Sequence, residues 1–196
     1  MSQSEARNGD QGFLAGRLLI AMPGIGDPRF EHAVILICLH NDEQAMGVRI
    51  NLPVEGMTVG GVLERLGVEG RARHPHQLVL LGGPVERERG YVIHSDDFAV
   101  MGSTIPISEG LSLTATREVL EALTEEYNAP TRASLALGYA GWQAGQLEAE
   151  LRENVWLATD IDIDLIFDED YDTKWERALA NMGVSAAVLS SQTGRA

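Results

Sequence analysis

Residues 33–51, AVILICLHNDEQAMGVRIN, constrain the chain more than any other stretch. AVILICLH is long, apolar and rich in β-branched residues, the composition of a strand covered on both faces. NDEQ reads as a turn and AMGVRIN as a second strand. Two strands so close in sequence are expected to pair as an antiparallel hairpin. Other segments must then cover both faces.

The flanking segments supply candidates. GRLLIAM (16–22) reads as a strand ending at the turn signal PGIGDP, and LPVEGM (52–57) as a loop. Thr58 caps a predicted helix with Val59, Val62, Leu63 and Leu66 on one face and Gly67 at its end. LVLLGG (78–83) is a short buried strand, and GYVIHS (90–95), reached through VERER, is its expected hairpin partner. Residues 96–113 are expected to be irregular, with at most one short strand. Thr116 caps a second helix with Glu118 in its first turn and Val119, Leu120, Leu123 and Tyr127 inward. RASLALG (132–138) is a strand, GYAGW a glycine-rich turn, and a helix carrying Leu147 and Leu151 follows. NVWLAT (154–159) is a strand. DIDIDLIF (160–167) alternates like a strand, although its Asp residues also suit a helical turn. Thr173 and Glu176 form a capping-box pattern for a last helix, with Trp175, Ala178, Leu179 and Met182 inward and Gly183 at its end. Trp142, Trp156 and Trp175 each sit beside an apolar run and are expected to be buried.

Strands and helices mix without strict alternation, so the expected class is α+β: a mixed sheet with helices packed against it. The length of 196 residues suits one domain over residues 12–196, behind a tail at 1–11 expected to be disordered.

Charge narrows the function. The formal net charge is −14, from 15 basic against 29 acidic residues. Nucleic-acid binding relies on Lys and Arg neutralising phosphates, and no basic cluster is present, so direct nucleic-acid contact is not expected. The acids concentrate at 146–176, as on a solvated face. No apolar run approaches the ~18 residues that span a bilayer, and the N-terminus carries no secretory pattern. A cytoplasmic protein is expected. Cys38, the single cysteine, excludes an intrachain disulfide.

The motifs argue against familiar catalytic machinery. Gly138 is followed by Tyr139, Ala140 and Gly141, so there is no nucleophile elbow. Gln146 and Leu147 follow Gly145, so there is no phosphate loop. What remains is geometry: glycines let backbones approach closely, and a helix starting near Ala144 is expected to direct free N–H groups toward the loops PGIGDP and GGPV. Arg87 and Arg89 beside GGPV could approach an anion. The alternative is an enzyme or redox protein using Cys38 with His40 or His94. Cys38 and His40, two apart on one strand, share a face, but 6–7 Å is too far for a direct hydrogen bond. A zinc site from Cys38, His40 and His94 lacks close ligand spacing. DIDIDLIFDEDYD lacks the Gly and Glu of a calcium loop. No metal or cofactor is expected.

The motifs GRLLIAMPGIGDPRFEHAVILICLHN, GGPVERERGYVIHS, LGYAGWQAGQLEAELREN and LIFD followed after five residues by KWERAL, with AMGVRIN between the first two, occur in that order. Together they resemble the AlgH/YqgE family of bacterial proteins, from about residue 12 to the C-terminus. The resemblance implies a mixed, bifurcated sheet folded towards a pseudo-barrel, and a role in regulating transcription with no defined catalytic mechanism. Three motifs depart from the family's usual CEHN, GLIINRP and GWGPGQLE: Leu39 replaces the acid, Leu52 replaces the arginine while Arg49 supplies one three residues earlier, and Gln143-Ala144 replaces Gly-Pro. The shared residues lie in the Gly/Pro loops, which implies that these converge on one groove for a small-molecule ligand or protein partner. The candidate residues are Pro23, Gly24, Asp27 and Pro28; Gly82, Gly83 and Pro84; Gly138, Tyr139, Gly141 and Trp142; Gly145 and Gln146; and, from the hairpin, His40, Asn41 and Asn51.

Overall fold

The computed structural model describes residues 13–192; the expected tail at 1–11 lies outside them. In chain order the elements begin with strands β1 (Arg17–Ala21), β2 (Val34–His40), β3 (Gln44–Arg49) and β4 (Pro53–Thr58), then helix α1 (Val59–Arg65). Strands β5 (Leu78–Leu81), β6 (Val85–His94), β7 (Thr104–Ser108) and β8 (Leu111–Thr114) precede α2 (Arg117–Ala122). Strand β9 (Ala133–Gln143), α3 (Gln146–Arg152) and β10 (Trp156–Asp160) follow. Helices α4 (Ile163–Phe167), α5 (Lys174–Asn181) and α6 (Ala186–Gln192) complete the described chain.

The β2–β3 hairpin forms as the sequence predicts, antiparallel and turned by Asn41, whose side chain accepts from the backbones of Glu43 and Gln44. It sits inside a sheet ordered β10-β1-β2-β3-β9-β6-β8-β7, with β4 and β5 branching off beside β9. The branch point is Ala136-Leu137, where β9 pairs with β5 in parallel and with β6 antiparallel. Beyond it, β9 continues and pairs with β3. The far end curls back toward the start: a Cβ on Gly16 would lie 3.2 Å from the Ile107 carbonyl oxygen. The result is a mixed α+β fold with a curled, mainly antiparallel half-barrel.

Alternation along β1 and β2 covers both faces. Leu18, Ile20, Leu36 and Cys38 face the inside of the curl, which Ile166, Phe167, Trp175 and Leu179 of α4 and α5 close. Leu19, Ile35 and Ile37 face the other side, under Leu147 of α3 with Trp142 and Trp156. A third cluster packs α1 and α2, through Val59, Leu63 and Val119, onto Val79, Val92 and Leu135.

Several local expectations are corrected. LPVEGM is not a loop: Pro53 and Thr58 pair with Leu80 and Leu78 as strand β4. GYVIHS is not the hairpin partner of LVLLGG, because β9 lies between them and takes the hydrogen bonds of both. Residues 96–113 hold two strands, β7 and β8, that pair with each other. GYAGW is strand rather than turn, with Gly141 opposite Met46 and Trp142 opposite Ala45. Helix α2 stops at Ala122, which leaves Tyr127 exposed, and Leu66 is also exposed at the end of α1. DIDIDLIF resolves as helix: Asp162 caps α4 by accepting from the Leu165 amide. The Thr173 capping box does not form, because a 3-10 turn at Tyr171–Thr173 already places that residue in helical geometry. Thr58 does cap α1, accepting from the Gly61 amide.

Candidate functional site

The glycines first explain a crossing of chains. β5 ends, β6 begins and β9 passes beneath within a few residues. A Cβ on Gly83 would stand 2.0 Å from the Tyr139 carbonyl carbon, and one on Gly82 would stand 2.3 Å from the Gly138 carbonyl oxygen. Gly138 itself takes φ +72° and lies against the backbone of Gly83 and Val85. Three backbones stack at spacings that side chains forbid. Strand β6 bulges here: Val85 pairs with Tyr139, but the next paired residue is Gly90, opposite Leu137.

That crossing brings the three Gly/Pro segments together. Ile25, Asp27 and Phe30 from the first, Pro84 and Val85 from the second, and Gly141 and Trp142 from the third line one cleft of about 400 Å³. Its remaining wall is the flank of α3, through Gln146, Glu150 and Glu153, with Trp156 behind. The wall is therefore helix side chains, four and three residues apart on one face, rather than the helix N-terminus that the sequence suggested. Glu150 organises it. Its Oε2 accepts from the indole N–H of Trp142 at 2.9 Å and of Trp156 at 2.8 Å, and its Oε1 accepts from the Gln146 amide at 2.8 Å. Gln146 in turn accepts from the Gln143 backbone. The two indoles meet edge-to-face with centroids 6.0 Å apart, and Phe30 meets Trp156 in the same manner.

A second cleft of about 520 Å³ shares Arg29, Phe30 and Pro84 with the first. Pro28, Leu52, Leu81 and Gly83 give it an apolar body, and Arg49, Arg87 and His32 bring positive or titratable groups. Arg49 and Leu52 line the same cleft, so the arginine gained at 49 and the one replaced at 52 address one volume. Arg29 is gripped by Asp27, through Nε and Nη2, and this pairing holds the Asp27 carboxyl below its ordinary range. Asn51 is a bracket beneath the cleft: its oxygen accepts from the Val34 amide and Arg49 Nε, and its amide donates to the His32 carbonyl.

The other candidates do not line these clefts. Pro23 and Gly24 lie in the first loop outside both, and Asn41 serves the hairpin turn. Tyr139 faces a third cleft, of about 500 Å³, with Met46 and Tyr91. Gly145 takes φ +73° where β9 gives way to α3. His40 is buried; its Nδ1 accepts from the Leu14 amide, so its Nε2 carries the proton and donates to Glu148 at 2.9 Å. Both ring nitrogens are committed to tying the N-terminal segment to α3.

The geometry contradicts the pairing of Cys38 with His40. A β-bulge between Ile37 and Leu39 makes Cys38 the extra residue, which turns His40 to the face opposite Cys38. Burial pushes the Cys38 thiol up to about 12, and it donates to the Leu36 carbonyl. His94 is fully buried between Ser95 and Thr114, and desolvation lowers its pKa. No cluster of three or more His, Cys, Asp or Glu side chains among the described residues could hold a metal ion.

Sequence reading missed Glu150, whose place follows from the i, i+4 spacing to Gln146, and Phe30 and Trp156 as cleft walls. Arg49 was visible only as a departure from a pattern.

Fold and clefts define a mixed α+β half-barrel domain whose surface is shaped by Gly/Pro loops. The AlgH-like family model matches residues 18–187, and the chain belongs to that family. A UPF0301 protein of Caulobacter vibrioides is 56% identical over 187 residues, covering 95% of this chain and 96% of the relative. One from Methylocella silvestris is 48% identical over 197 residues, covering 97% and 95%. Among solved structures, the AlgH protein from Pseudomonas aeruginosa matches with TM-score 0.76 and 36% identity, over 97% of this chain and 100% of that one. A Corynebacterium diphtheriae protein shares the fold at TM-score 0.67 and 18% identity, over 92% and 90%. No helix among the described residues is long and apolar enough to cross a membrane.

Proposed function

We propose that this chain is a cytoplasmic binding protein without a reaction of its own, which takes a small-molecule ligand or a short partner segment in the cleft between its three Gly/Pro loops. The observation that carries this is the construction of that cleft. Two indoles are fixed by one carboxylate, a third aromatic ring stands against them, and a few polar side chains converge. A cleft of this size with fixed aromatic walls and oriented polar groups is the usual form of a ligand pocket. The regulatory role that the family resemblance implies fits such a protein, acting through its ligand or partner rather than through direct contact with DNA. The burial of Cys38 and the commitment of both His40 nitrogens weigh against the redox alternative.

Crystals of the full chain soaked with a library of small organic fragments test the reading. Fragments are expected to occupy the space between Phe30, Pro84, Trp142 and Trp156. Fragments found only elsewhere, or none bound at all, would refute it.

A further inference from the structure

The second cleft has a charge pattern that the rest of the chain does not predict. Net charge is −14, yet three arginines and one histidine line this volume, with Glu31 as its one acidic lining residue. Each arginine stands differently. Arg29 is satisfied by Asp27. Arg49 is only 8% exposed and takes part in no ion pair among the described residues. It donates from Nε to Asn51, from Nη1 to the Arg29 carbonyl at 2.8 Å and from Nη2 to the Glu31 carbonyl at 3.1 Å. Those three bonds clamp the loop, but a guanidinium has five N–H donors, and carbonyl oxygens leave its charge uncompensated. Arg87 lines the same cleft and is exposed, and its side chain makes no hydrogen bond or ion pair among the described residues. His32 holds φ 51°, a strained conformation for a side-chain-bearing residue, with its ring 4.4 Å from that of Trp175.

A buried cation held only by neutral groups is costly unless a counter-ion completes it. Here the missing charge faces an open cleft whose body is Pro28, Leu52, Leu81 and Pro84. We propose that this second cleft is a binding site for a small organic oxyanion, a carboxylate or phosphate ester on an apolar body, seated between Arg49 and Arg87. The oxyanion takes the unused guanidinium donors in the forked geometry that arginine favours, and the apolar body lies against Leu52 and Leu81. The site shares Arg29, Phe30 and Pro84 with the first cleft, but neither Arg49 nor Arg87 lines that one, so the proposal does not rest on it.

Calorimetric titration of the full chain at low ionic strength with benzoate, phenyl phosphate and inorganic phosphate tests this. At least one of the two organic anions is expected to bind saturably and more tightly than inorganic phosphate, with affinity falling as salt rises. Which one binds separates carboxylate from phosphate. Arg87→Ala, on the surface, is expected to weaken that binding about tenfold, the scale of one charge-assisted contact. Arg49→Lys, which keeps the charge but loses the fork, is expected to weaken it as well. Arg89→Ala, which removes the partner of Glu86 in the third cleft, should leave it unchanged. Absence of saturable binding to any probe, or equal affinity in wild type and Arg87→Ala, would overturn the proposal.

Discussion

Gly83 and Gly145 separate two reasons for a glycine. At Gly83 the obstacle is backbone 2.0 Å from the missing Cβ, which cannot yield as a side chain would. Gly83→Ala is expected to cost about 3 kcal/mol or more. Gly145 has nothing within 4 Å of its Cβ position but takes φ +73°, so Gly145→Ala should cost only about 1 kcal/mol. Urea unfolding of both variants checks the order, and equal losses would show that the crossing is not tight. Lys174, the chain's single lysine, offers a test of burial. Desolvation lowers it to about 8 from an ordinary value of 10.5, and its Nζ donates to the Ile166 carbonyl. The unfolded chain therefore holds that proton more tightly between about pH 8 and 10.5, and stability should rise with pH there. Compared with Lys174→Met, wild type is expected to gain stability from pH 8 to pH 10; a flat difference would show that the amine is solvated.

The α3 flank illustrates what an element adds to its residues. Glu150 accepts from two buried indoles at once, so Glu150→Ala strands two N–H groups and should cost about 2–4 kcal/mol. Trp156→Ala, with the ring 3% exposed between Phe30 and Trp142, should cost about 3–5 kcal/mol in the same assay; a loss well under about 1 kcal/mol would show that β10 is peripheral. Much of this layer is legible locally. The apolar run of β2, the Thr58 cap and the Leu147 and Leu151 spacing all state their structure in sequence. The passage of β9 through Gly138 and Gly141 is not legible, because glycine is a poor strand former and only the pairing with β6 on either side of Gly138 and with β3 at Gly141 makes it strand. Pro53–Thr58 likewise becomes strand only because β5 lies beside it. The site divides in the same manner. Gly/Pro loops announce themselves, but their meeting depends on β6 starting opposite Tyr139. The burial of Arg49 depends on a loop folded over it from 20 residues away.

At the scale of the molecule, acidic charge and a curled sheet point the same way. With 29 acids against 15 bases, the surface repels a polyanion, and no measurable binding to duplex DNA is expected at physiological salt; tight, salt-sensitive binding in a gel-shift assay would refute this. The half-barrel closes its inside with α4 and α5, and the first two clefts are lined largely by loop residues. The tryptophans offer a direct readout. Trp142 and Trp156 line the first cleft, whereas Trp175 is buried elsewhere with its N–H donating to the Ala21 carbonyl. The deciding measurement is the movement of the three indole N–H resonances as the labelled full chain is titrated with the low-mass fraction of a bacterial extract. Binding in the cleft predicts that the signals of Trp142 and Trp156 shift saturably and together, whatever Trp175 does, since its ring packs on His32 of the second cleft. If neither Trp142 nor Trp156 moves, the first cleft is not the binding site.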